Sequence, residues 1–146
     1  MTPVQLNNFL EEVKNSFDEI TDTNFVYDDS ELVDTMAELN YSSKQILIGV
    51  LPEHSHSGKL DSVKMNNICQ FLILEKVDYS DFPRIKKVEL YERTLHTAQK
   101  LRDYILNKIS ESCTSIFDNI EVNTINIVPV GKKADGNGYS LEFEIR

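Results

Sequence analysis

At 146 residues the chain is long enough for one domain with a substantial core, and 40% hydrophobic residues argue against wholesale disorder. Its 15 basic against 24 acidic residues leave a net charge of −9, a balance that repels phosphate backbones and makes nucleic acid a poor partner. No apolar run approaches the roughly 20 residues of a membrane span, and Met1 to Gln5 lacks the basic start and apolar core of an export signal, so a cytoplasm, or a particle assembled in one, is the expected compartment.

Thr2, Pro3 and Gln5 together form a helix start: a capping threonine, a proline at the first helical position, and a glutamine placed to close a capping box. Leu6, Phe9, Leu10, Val13 and Phe17 recur at helical spacing and predict a helix from Pro3 to about Glu19. Thr21-Asp22-Thr23-Asn24 reads as turn chemistry, and Phe25-Val26-Tyr27 as a short strand or a plug onto the core. Asp28-Asp29-Ser30 offers a second N-cap. A short helix follows, with Leu32, Val33, Met36 and Leu39 on one side, ending near Asn40.

Ile46 to Leu51 is apolar and rich in β-branched residues, which predicts a strand. Gly49 within it marks a bulge or the close approach of another backbone. Pro52 to Val63 reads as a polar loop of roughly a dozen residues. In Asn67 to Val77 the run Phe71-Leu72-Ile73-Leu74 is unbroken, as expected of a strand buried on both faces.

Asp81 is the expected N-cap of a helix from Pro83 to Ser112. Its predicted stripe is Ile85, Val88, Tyr91, Leu95, Ala98, Leu101 or Arg102, Ile105 and Ile109. A helix of that length spans about 40 Å, more than a small sheet needs, so one end is expected to project. Ile120 to Val130 and Tyr139 to Ile145 form a closing hairpin, with its tight turn at Asp135-Gly136 or Asn137-Gly138. Pro129 predicts a bulge or an edge. The expected fold is α+β: a mostly antiparallel sheet of about four strands, one long helix across a face and two N-terminal helices. It forms a single domain, with residues 1–40 as its helical part and 44–146 as its core. One long helix covers one sheet face, so the other must be met by the N-terminal helices or by another subunit.

Few groups suggest chemistry. Glu53-His54-Ser55-His56 puts two imidazoles on one side of an extended segment, making His54 and His56 candidate metal ligands. A solvated loop is the simpler reading. Cys69 and Cys113 sit among apolar neighbours and read as reduced core thiols, not as nucleophiles paired with His96. Gly136-Asn137-Gly138 does not open a helix after a strand and reads as a turn, not a phosphate cradle. Asp22, Asp28 and Asp29 lack a calcium-loop pattern and are explained by capping. Tyr91 and Tyr104 read as core-edge packing. Lys86, Lys87, Arg93, Lys100 and Arg102 read as a solvated helix face. No cofactor is implied.

The order of three segments resembles the tail-terminator and tail-completion proteins of tailed phages and related contractile particles. They are Phe71-Leu72-Ile73-Leu74-Glu75-Lys76, a charged helix from Val88 to Ile109, and a hairpin ending Gly138-Tyr139-Ser140-Leu141-Glu142-Phe143-Glu144-Ile145. The resemblance covers about residues 44 to 146. It implies a small subunit whose sheet packs beside its neighbours' in a ring that caps a tail tube or joins it to the head. The implied partners are copies of the chain and neighbouring tube or connector proteins, in a virion or phage-like particle, with no catalytic residues. The contact residues expected on that reading are Pro52, Glu53, His54, His56 and Lys59 in the loop, and Lys132 and Lys133 at the hairpin tip. The alternative is a small cytosolic protein-binding module, monomeric or dimeric and without catalysis. A metal-dependent enzyme using His54 and His56 ranks last.

Overall fold

The computed structural model describes residues 1–39, 44–57, 64–111 and 116–146. The elements in chain order are α1 (Pro3–Ser16), β1 (Ile20–Val26), α2 (Asp29–Ala37), β2 (Gln45–Ser57), β3 (Lys64–Lys76), α3 (Arg84–Glu111), β4 (Asn126–Lys133) and β5 (Gly136–Ile145). The strands form one five-stranded sheet in the order β1-β2-β3-β5-β4. The α+β class is as expected, but the sheet is mixed, with one strand more than the sequence suggested.

The additional strand is β1, which pairs in parallel with β2 across the α2 crossover. Thr21 to Asn24 is therefore strand, not turn. Asp and Asn favour turns because their side chains bond to nearby amides. Here they do so within a strand: Asp22 Oδ1 accepts from the Thr23 amide at 2.9 Å, and Asn24 Oδ1 from the Phe25 amide at 2.9 Å. These bonds occupy amides on an edge strand, where free ones invite unwanted pairing.

The α1–α3 face of the sheet is closed by aromatic packing. Phe9 of α1 meets Phe71 of β3 at 5.4 Å between ring centres and Phe117 at 4.9 Å. Phe71 lies 6.0 Å from Phe143 of β5. Such clusters add geometric preference to a large buried area. α1 is fixed by the expected capping box, in which the Gln5 amide donates to Thr2 Oγ1 and the Thr2 amide to Gln5 Oε1, although it ends at Ser16 rather than Glu19. Gly49 serves the same contact. A Cβ there would stand 2.8 Å from Leu6 Cδ1, so the close approach is by a helix side chain, not a backbone.

The buried stripe of α3 keeps Ala98, Leu101 and Ile105 of the expected one and differs over its first turns. It consists of Leu90, Thr94, Thr97, Ala98, Leu101 and Ile105. Thr94 and Thr97 bury their hydroxyls by donating to the carbonyls of Leu90 and Arg93, at 2.9 and 3.2 Å. With Ala98 they form a low surface against the sheet, so the helix seats on small residues instead of on Ile85, Val88 and Leu95. Residues 84–89 are all exposed. Asp81 does not cap α3. It closes a short 3-10 turn capped by Asp78 and holds Lys86 at 2.7 Å.

The opposite face is covered by α2 at one end only, where Val26, Leu32, Met36, Ile46, Ile48, Leu72 and Leu74 pack together. Phe71 to Leu74 are thus buried from both sides, as expected. Glu75 is 2% exposed and is held by the Arg93 fork at 2.8 and 3.2 Å, a bidentate geometry suited to a buried carboxylate.

The closing hairpin turns at Ala134-Asp135, one residue earlier than the nearer of the two expected positions. Both residues have left-handed φ, 51° and 62°, between the paired Lys133 and Gly136, as in a hairpin turn that matches strand twist. Gly138 lies in β5 instead of the turn, where a Cβ would fall 2.0 Å from the Ile73 carbonyl oxygen. β4 begins at Asn126, not Ile120, which makes only an isolated bridge to Ile145. β4 is the sheet edge, and it holds Pro129, as that proline suggested.

Candidate interaction surfaces

β2 and β3 are each 13 residues long and outrun their neighbours. β1 pairs with β2 only as far as Val50, and β5 pairs with β3 only as far as Asn67. Ser55 to Ser57 and Lys64 to Asn66 pair with each other alone, so the two strands continue as a ribbon. Pro52 to Ser57 of the expected Pro52–Val63 loop are therefore strand, and its remaining residues, 58–63, lie outside the described residues. Pro52 lies in a bulge between Val50 and Glu53; Glu53 stands opposite Ile68, His54 opposite Asn67 and His56 opposite Met65. Lys59 lies outside the described residues. The ribbon is polar in sequence and carries none of the apolar runs that signalled the rest of the sheet.

Lys132 and Lys133 sit at the other end of β3, beside its pairing with Gly136. Lys133 is engaged by Asp29 of α2 at 3.3 Å. The Lys132 amide donates to Asn137 Oδ1 at 3.1 Å, and its ammonium stands 6.0 Å from the Tyr79 ring. The two groups of contact residues expected from sequence thus lie at opposite ends of the sheet.

Two further surfaces lie apart from the contact residues expected from sequence. The first is the part of the α2 face beyond α2. Ile68 and Val128 are 50% and 41% exposed there. Between them Gln70 Nε2 donates to Ser140 Oγ at 3.1 Å and to Glu142 Oε1 at 2.9 Å, and Glu144 lies on the same side of β5. The alternation of β5 marked this side as polar, but nothing local said how far a helix would cover it.

The second is an open groove of about 630 Å³ at the start of α3, lined by Phe82, Val88, Tyr91, Leu95 and Tyr139 with Arg84, Lys87 and Glu92. Tyr91 is fixed in its wall. Its hydroxyl donates to the Val130 carbonyl at 2.8 Å, its ring meets Tyr139 edge-on at 5.8 Å, and burial pushes its pKa above the ordinary tyrosine value. The signal in the sequence was an apolar stripe longer than the sheet could cover.

The groups considered for chemistry are dispersed. Cys69 is buried, and burial pushes its thiol up to about 11, which leaves it protonated and unreactive near neutrality. Cys113 lies outside the described residues. His54 is exposed on β2, and His96 is exposed on α3 beside Phe17 and Lys100. Positions 54 and 56 share a strand parity, as expected. Among the described residues no three His, Cys, Asp or Glu side chains gather as a metal site, and no helix is long and apolar enough to cross a membrane. Tyr104 packs against Phe17 at 5.5 Å and donates its hydroxyl to Glu12. Lys108, paired with the same carboxylate, is held above its ordinary pKa by that hydrogen bond.

The chain matches no protein-family model, no curated protein and no solved structure.

Proposed function

We propose that this chain is a structural subunit that assembles with copies of itself into a ring, of the kind that terminates a phage or phage-like tail or joins it to the head. The observation that carries the reading is the open part of the α2 face. One short helix covers one end of a five-stranded sheet, and Ile68 and Val128 stand in solvent beyond it. An uncovered sheet face that carries exposed apolar side chains around a polar network is a surface suited to protein association. The ribbon supports the same reading. A two-stranded ribbon is marginal alone in water, so this one acts as an arm laid against a neighbouring subunit, with Glu53, His54 and His56 along it. Neighbours reach the subunit through its faces and arm, since Asp22 and Asn24 occupy amides of β1 and Pro129 interrupts the β4 edge. Such a role requires no catalytic group or cofactor, and it places the protein in a particle built in a bacterial cytoplasm, among tube or connector proteins.

The test is the solution mass of the purified chain by light scattering over a concentration series. A discrete closed oligomer, visible as a ring by electron microscopy, is the expected result. A monomer at every concentration overturns self-assembly and favours a protein-binding module that engages a single partner.

A further inference from the structure

We propose that the groove at the start of α3 receives the acidic α2 surface of a second copy of this chain, an assignment that rests on the self-assembly reading above. Ile85 and Val88 have the spacing of a core stripe, yet they are 63% and 57% exposed. Val88 is part of the groove wall, with Arg84 and Lys87 beside it. Neighbouring Lys86 is held by Asp81, whereas among the described residues no carboxylate holds Arg84 or Lys87. The groove therefore presents an apolar floor with two cations and one carboxylate, Glu92, at its rim.

The outer side of α2 has the complementary pattern. Val33 is 53% exposed, Asp34 and Glu38 lie exposed close to it in sequence, and no cation holds either carboxylate among the described residues. Tyr27, 66% exposed, precedes the helix. The charge imbalance of the whole chain falls in its first 39 residues, α2 among them. Residues 1–39 hold 10 of the 24 acidic residues and one of the 15 basic ones, leaving 14 of each sign in residues 40–146. From Arg84 to Arg102, six cations face two carboxylates. Opposed fields of this kind steer encounter and fix register.

The fold also decides the symmetry. α2 packs on the side of the sheet to which Leu72 and Leu74 point, and α3 on the side of Phe71 and Ile73. Both patches lie near the Lys76 end of β3, where Asp29 of α2 meets Lys133 and Tyr91 of α3 meets Val130. Because they face opposite ways, they do not meet within one chain. A contact between them is head-to-tail, and repetition of a head-to-tail contact closes a ring or extends a filament.

The experiment uses the full chain and two charge-reversed variants, Arg84→Glu/Lys87→Glu and Asp34→Lys/Glu38→Lys, with light scattering as the readout. All four side chains are exposed, so thermal melting is expected to stay unchanged. Each variant alone is expected to self-associate at about tenfold or more higher concentration than the parent, and higher salt is expected to weaken the parent's assembly. An equimolar mixture of the two variants should recover assembly, because each then offers the other a complementary patch. Should a reversed variant fail to fold, Val88→Ser probes the same groove wall without a charge change and is expected to weaken assembly likewise. A parent that assembles while every variant assembles equally well overturns this interface and leaves the ring reading intact. Loss in both variants without recovery in the mixture also overturns it. A parent that is monomeric throughout overturns both.

Discussion

On the α1–α3 face, Phe9, Phe71, Phe117 and Phe143 meet ring to ring, and two helices lie across the strands. On the α2 face, a helix of 9 residues covers one end, and Ile68 and Val128 are left in water. β3 belongs to both faces. Its residues Cys69, Phe71 and Ile73 look toward the aromatic cluster; Leu72 and Leu74 look toward α2, and Ile68 lies beyond it. A period of two thus gives one strand two different energetic roles. Stability comes mainly from the closed face, and the open part of the other is free to serve association. Mutations along β3 can break or sharpen that contrast.

The largest effect is expected at Phe71, which is fully buried between three elements. Phe71→Ala removes a ring from a packed cluster and leaves a cavity, at a cost of about 4 kcal/mol. Denaturant unfolding measures this directly. A loss below about 1 kcal/mol would mean that the cluster collapses around the gap or is not packed as described.

Cys69, two residues earlier on the same face, is expected to matter through pH. Burial raises its thiol from 9.0 to about 11, so the folded chain favours the neutral form and the unfolded chain releases the proton earlier. This contribution is fully present below pH 9 and is lost as pH climbs through about 11, amounting to about 3 kcal/mol. Unfolding curves at a series of alkaline pH values should therefore fall more steeply for the parent than for Cys69→Ala. Parallel curves would mean that solvent reaches the thiol.

Much of this contrast was present in the sequence. The uninterrupted Phe71 to Leu74 run called for cover on both sides, and Tyr139 to Ile145 alternated cleanly, because apolar burial leaves a periodic trace. Of β1, only the Phe25-Val26 end was offered as strand; its start was hidden for the opposite reason. Its Thr-Asp-Thr-Asn composition satisfies local amides, and the pairing that makes it a strand comes from β2, distant in sequence. The ribbon was concealed by Pro52 and its polar residues, which resemble a loop until the partner strand is known. The α3 stripe was right at Ala98, Leu101 and Ile105 but misassigned before them, because Thr94 and Thr97 count as polar in a periodicity, although a helix can bury their hydroxyls against its own carbonyls. That substitution of small residues for large ones also left Ile85 and Val88 exposed, so the sequence showed an apolar stripe without revealing that its first turns face outward.

The smallest effect on stability is expected at Ile68, on the open side of the same strand. At 50% exposure its side chain gains little from folding, and Ile68→Ser should change unfolding free energy by no more than about 0.5 kcal/mol, as for most surface positions. Its value lies in the pairing with Phe71→Ala. If the open face serves association, Ile68→Ser should weaken self-assembly in light scattering while the denaturation midpoint of the monomer is unmoved. Phe71→Ala should do the reverse at concentrations where the chain stays monomeric. A large stability loss from Ile68→Ser would show that the α2 face is closed in the lone chain, and the division of labour between the two faces would then fail.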